Sequence, residues 1–190
     1  MLEILEDAEI RKRVAPVTIE RYHRMIAAGV FDECPVELIN GVIVQKMSKS
    51  ELHLFVFQVL FRALAKFCPE DQFLVRKEDP LTIGDSEPEP DISVVAGRLE
   101  DFWLLKPTTA HLVIEVAISS LALDRAKTAT YAQAGVPEVW IVVPEDQRTE
   151  VYRRPVDGRY SEVLHIAAET LVESSALPGF AFDLSAVLAV

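Results

Sequence analysis

Cysteine is scarce in this sequence: Cys34 and Cys68 are the only two in 190 residues. They lack the spacing of a zinc site and are too few for a disulfide framework, so buried, reduced thiols are expected. No local motif marks Cys34 as a nucleophile. Long apolar runs are missing as well. None reaches the roughly 18–20 residues that cross a bilayer, and the opening MLEILEDAEIRKR carries charges where a secretory signal would be greasy. A cytoplasmic protein without a membrane span is the expectation. Basic residues are outnumbered, 19 Lys and Arg against 30 Asp and Glu, for a net charge of −11. Such a balance argues against tight, sequence-independent adhesion to nucleic acid, which needs many cations on the phosphates. It leaves room for a local basic face, and for a carboxylate cluster whose charge bound cations offset.

What is present suits an ordinary globular protein: half of the residues are hydrophobic and 26% are charged, which excludes disorder for most of the chain. No repeat, low-complexity tract or linker divides it. Residues 1–16, ending at Pro16, read as an N-terminal arm or short helix available for self-association, and residues 17–190 as one domain. Thr18 is placed to cap a helix whose Ile19, Tyr22 and Ile26 share a core-facing side, with Gly29 ending it. VELINGVIVQKM holds two β-rich runs around Asn40-Gly41, the dipeptide of a type I′ hairpin. Ser48 and Glu51 have capping-box spacing ahead of a long amphipathic helix over about 49–67. FLVRKE and PLTI read as strands, GDSEPEP as a loop, and DISVV, HLVIEVAI and VWIVV as buried strands. Leu123 to Ala134 has helical composition and ends at Gly135, with Asp124 as its expected N-cap. TEVYRR and YSEVLHI form a peripheral pair around Asp157-Gly158, and LPGFAFDLSAVL closes the chain with a loop and a helical turn or two. This order predicts an α/β fold: a mixed sheet flanked by helices, with an N-terminal helix and a β-hairpin.

Within that frame one pattern carries chemistry. Glu115 lies among Leu112, Val113, Ile114, Val116 and Ala117, and a carboxylate in a buried strand is costly to ionise without compensation. Asp91 opens the preceding buried strand after Pro90, in reach of the same sheet end. Two carboxylates about 4 Å apart repel by roughly 4 kcal/mol at an effective dielectric near 20, so the pair implies an intervening cation. Oxygen ligands of this kind suit Mg²⁺ or Mn²⁺. Taken singly, each acid has a plainer reading: Asp91 as a strand-start residue, Glu115 in a salt bridge with Arg125 or Lys77. A lysine shortly after the two acids tilts the balance toward a site.

The pieces VELINGVIV, His53, EPDISVV, LVIEVAISSLALDRAK, YAQAGVPEVWIV, EVYRRPVDGRY and LPGFAFDL, in this order from Val17 to Leu188, resemble the Uma (type two) family of restriction-endonuclease-like proteins in the PD-(D/E)xK superfamily. The superfamily lysine usually stands two residues after the acid, where this sequence has Ala117; the resemblance implies that it has moved onto the next helix, as Lys127. Val143 and Ile118 depart from the family pattern at positions where polar residues are common. The resemblance implies a metal-dependent endonuclease acting on nucleic acid, DNA foremost, with Mg²⁺ or Mn²⁺ held by Asp91, Glu115 and the Val116 carbonyl, and Lys127 as the catalytic lysine. Glu37 is the further acid, His53 is auxiliary, and Tyr131 is expected to serve packing. A homodimer is the expected assembly. Two rival readings stand beside it: a catalytically silent nuclease scaffold used for binding or regulation, and a hydrolase of small phosphodiesters.

Overall fold

The computed structural model describes Glu9 and residues 12–189. Most of the expected N-terminal arm lies outside the described residues; Pro16, at its end, packs on Gly41, and the Val17 amide donates to the Gly41 carbonyl at 2.8 Å.

Helix α1 (Ile19–Ala27) starts where Thr18 accepts a hydrogen bond from the Arg21 amide. Only Tyr22 of the expected apolar face is buried; Ile26 is 47% exposed. The hairpin of β1 (Val36–Ile39) and β2 (Val42–Gln45) turns at Asn40 and Gly41, both at positive φ, as a type I′ turn requires. Helix α2 (Glu51–Phe67) is capped by Ser50, whose hydroxyl accepts from the His53 amide at 3.2 Å. The expected capping box at Ser48 is thereby corrected: Ser50 is the residue with extended backbone angles next to the first turn, so its oxygen is the one in reach.

A six-stranded sheet follows, in the order β3 (Phe73–Lys77), β4 (Ile92–Ala96), β5 (Leu112–Val116), β6 (Glu138–Val143), β7 (Arg148–Val156), β8 (Arg159–Ala167). All neighbours are antiparallel except β5 and β6. A parallel pair needs a crossover, and helix α3 (Leu121–Gln133) supplies it. Strand alternation sorts the core by face. Ile92, Val94, Leu112, Ile114, Val116 and Trp140 pack with Val56, Leu60 and Leu64 of α2 and with the C-terminal segment. Val95, Val113 and Val139 meet Tyr131 and Val136 on the α3 side. With helices on both faces, β5 and β6 are wholly buried, which explains their unbroken apolar runs.

PLTI is not a strand. Pro80 opens it and Gly84, at φ +54°, follows, so the chain doubles back; only Ile83 makes a bridge, to Ser86, while Leu81 and Ile83 bury their side chains against β4 and β5. Asp157 and Gly158 turn β7 into β8 as expected. The tail forms a short pair, β9 (Val172–Glu173) with β10 (Ala181–Phe182), and one helical turn, α4 (Leu184–Leu188).

Candidate active site

The site forms where β4 begins and β5 ends. Pairing of Ile92 with Ile114 sets position 91 beside position 115, on the α3 face of the sheet. The two acids are laced through the backbone: the Asp91 amide donates to Glu115 Oε2 at 3.1 Å, and the Val116 amide donates to Asp91 Oδ2 at 2.8 Å. Position 91 thus points toward position 115, and the anticipated convergence is present.

Lys127 comes to the same spot from α3. Its ammonium lies 2.9 Å from Glu37 Oε1, 3.4 Å from Glu115 Oε1 and 3.8 Å from Asp124 Oδ1, and its side chain is 6% exposed. A solvated surface lysine is therefore excluded. Neither plainer partner for Glu115 is used: Arg125 binds Glu150, and Lys77 sits over the Phe61 ring. Glu37 arrives from the hairpin, held by the Glu89 amide at 3.1 Å, because Leu38 and Glu87 bridge the hairpin to the loop before β4. His53, one turn into α2, places Nε2 3.2 Å from Asp91 Oδ1 without the alignment of a hydrogen bond, so that buried nitrogen has no hydrogen-bond partner.

Three residues play parts that sequence reasoning did not give them. Tyr131 does more than pack: its hydroxyl donates to Glu115 Oε1 at 2.7 Å. Asp124 is not the N-cap. Ser120 holds that position, α3 begins at Leu121, and Asp124 sits inside the first turn, accepting from the Ser120 hydroxyl at 2.6 Å and facing Lys127. Lys49, in the segment between β2 and α2, lies 3.0 Å from Asp91 Oδ1 and also contacts Glu78. A basic residue just before a helix cap carries no sequence signal of such a role. Lys49 and Asp124 line, with Glu37, His53, Asp91, Glu115 and Lys127, a pocket of roughly 100 Å³.

Four buried acids, Glu37, Asp91, Glu115 and Asp124, face two ammonium groups, so negative charge is in excess. Burial raises the Glu115 carboxyl to about 8, with Asp124 and Asp91 adding to the rise against the pull of Lys127. Burial likewise lifts Asp124 to about 6. Asp91 moves the other way: burial is outweighed by His53, Lys49 and the Val116 amide, which bring it to about 2. Lys127 is held above its ordinary value because Glu115, Glu37 and Asp124 outweigh its burial. The two directions across the Lys127–Glu115 contact look opposed, since a paired carboxyl should fall. They are reconciled by number: one lysine is shared among three acids, so the acids together hold it up while the deepest of them is still raised by burial.

A hard divalent cation fits this donor set, which is oxygen-rich, over-acidic and has an unpartnered imidazole nitrogen at its edge. Among the described residues no three His, Cys, Asp or Glu side chains are arranged to hold an ion by themselves. Two carboxylates completed by a backbone carbonyl, water and substrate oxygens is the mode Mg²⁺ ordinarily uses.

A mixed sheet between helices, with buried acids and a lysine gathered at the ends of its central strands, defines a restriction-endonuclease-like α/β fold. The same fold is seen in a crystal structure described as "a putative nuclease belonging to DUF820" from Anabaena variabilis ATCC 29413, with a TM-score of 0.76 and 19% identity over 92% of this chain and 98% of that one. The chain belongs to the Uma2 family, described as "Putative restriction endonuclease", whose model matches residues 19–186. The search of curated proteins found no match. Among the described residues no helix is long and apolar enough to cross a membrane.

Proposed function

We propose that this protein is a metal-dependent nuclease that hydrolyses phosphodiester bonds of nucleic acid, DNA foremost. The observation that carries the reading is the interlocking of Asp91 with Glu115, with Lys127 on the remaining Glu115 oxygen. Asp91, Glu115 and the Val116 carbonyl would hold Mg²⁺ or Mn²⁺. When bound, such an ion supplies Lewis acidity toward a phosphate oxygen and lowers the pKa of a water. Lys127 orients the attacking water and offsets charge developing on the phosphoryl oxygens. Glu37 and Asp124 keep that lysine charged and aimed. Tyr131 fixes Glu115 in one rotamer through its hydroxyl. His53 stands beside Asp91 as an auxiliary group.

One observation favours a second reading, the silent scaffold. Each carboxylate oxygen of Asp91 and Glu115 already has a protein partner: Lys49, the Val116 and Asp91 amides, and Tyr131 with Lys127. Thermal melting with Mn²⁺ or Mg²⁺ separates the two. The native protein should gain stability with either ion and a D91A/E115A variant should not; equal shifts in both remove the metal site. Incubation with single-stranded, duplex and branched DNA plus Mn²⁺ should produce nicks that vanish in K127A. Turnover of small phosphodiesters without cleavage of polymers would instead identify a hydrolase of small esters.

A further inference from the structure

The five residues Lys46 to Ser50 join β2 to α2 along the rim of the pocket. Ser50 is fixed by its capping bond to the His53 amide, and this anchors Lys49 next to the site. The two oxygens of Asp91 are unequal. Oδ2 is committed to the Val116 amide, whereas Oδ1 faces Lys49 and His53. The Lys49 ammonium has a second anchor, Glu78, at the far end of β3, whose own amide donates to the Asp91 carbonyl at 3.0 Å. It also lies 5.5 Å from the centre of the Phe57 ring. The side chain therefore spans two acids, one buried and one at the surface: the Glu78 side chain is 43% exposed, that of Asp91 12%.

We infer that Lys49 is a resident counter-ion of the metal site, which a divalent cation must displace from Asp91 before it can bind. The inference rests on the metal-site reading given above. A dication and an ammonium on one carboxylate oxygen repel each other, so occupancy by one disfavours the other. Glu78 and the Phe57 face give the displaced ammonium a place to stay, so its departure from Asp91 does not leave it without partners. The arrangement stabilises the over-acidic pocket in the absence of metal and sets a threshold concentration for loading. Apparent affinity is reduced by the fraction of molecules in which Asp91 is already engaged, and removing the lysine lifts that reduction. Lys46 carries the same charge in the same segment but pairs with Glu89 rather than Asp91, so it is the internal control.

Mn²⁺ binding to the full chain, followed by the paramagnetic resonance of the free ion in metal-depleted buffer, tests this. K49M, which keeps the apolar stem and loses the charge, should bind Mn²⁺ about tenfold or more tighter than the native protein. K46M and K49R should each stay within about threefold of it. Equal affinity in K49M and the native protein overturns the displacement and leaves the metal site standing. A gain in K46M or K49R matching that of K49M also overturns it, because charge at a distance or side-chain shape would then account for the effect. Absence of Mn²⁺ binding in all four proteins removes the metal site itself and this inference with it. Melting in EDTA confirms that each variant is folded.

Discussion

Lys127 is buried among three acids, and the consequences of removing its charge are large. In K127M, Glu37 would lose the cation 2.9 Å away, a change that costs about 3 kcal/mol when a buried pair is broken. Urea denaturation at pH 7 should show it; a loss under about 1 kcal/mol would mean that Lys127 does not neutralise Glu37. In Y131F, Glu115 forfeits one donor, with an expected loss of about 1–2 kcal/mol in the same measurement. The sequence showed Glu115 because an acid in an apolar strand is conspicuous by its cost, Asp91 through its place at the start of the neighbouring strand, Glu37 as a further acid on the hairpin, and Lys127 through the family pattern. Lys49 and Tyr131 were not legible in those terms. A lysine in a polar segment and a tyrosine on a helix fit many environments, and only the pairing of β4 with β5 and the rotation of α3 decide what they touch.

At the scale of single elements, local chemistry and tertiary placement divide the credit. Asn40-Gly41 and Asp157-Gly158 specified their turns because positive φ is a backbone demand that few residues meet. The continuous apolar runs specified β5 and β6. Helix starts were less legible, since two serines two residues apart offer equivalent oxygens: Ser48 has the capping-box spacing, yet Ser50 caps α2. The two are separable by mutation. S50A should lower stability by about 1 kcal/mol and S48A by less than about 0.3 kcal/mol in chemical denaturation; the reverse order would restore the cap to Ser48. PLTI failed as a strand because β-rich composition does not say whether a neighbour is in reach, and the chain reverses at Gly84 before a pairing can extend.

For the whole molecule, opposing titrations shape stability against pH. Glu150 is buried, and Arg125, Tyr152 and Arg148 outweigh that burial and hold it at about 2, below its ordinary 4.5. A depressed carboxyl stabilises above its unfolded pKa, so this contribution and that of Asp91 disappear as pH falls from about 4.5 toward 2. Glu115 and Asp124 are raised, to about 8 and 6, and act with the opposite sign: the folded chain binds protons that the unfolded chain releases, so stability declines as pH rises from about 4 to 8. In EDTA the free energy of unfolding should therefore peak in mildly acidic solution. E115Q should flatten the alkaline arm, and an unaltered arm would place the proton elsewhere.

The β1–β2 hairpin is a two-stranded sheet of its own, joined to the larger body through the Leu38–Glu87 bridge, the Gly41–Asp85 bond and the ion pair of Glu37 with Lys127. A flap fastened partly by electrostatics reports on the charge beneath it. In deuterium exchange, amides of Val36 to Gln45 should open faster in K127M than in the native chain, while those of β5 and β6 keep their protection. The hairpin would thus act as a latch whose tightness follows the charge that Glu37 meets at its inner end.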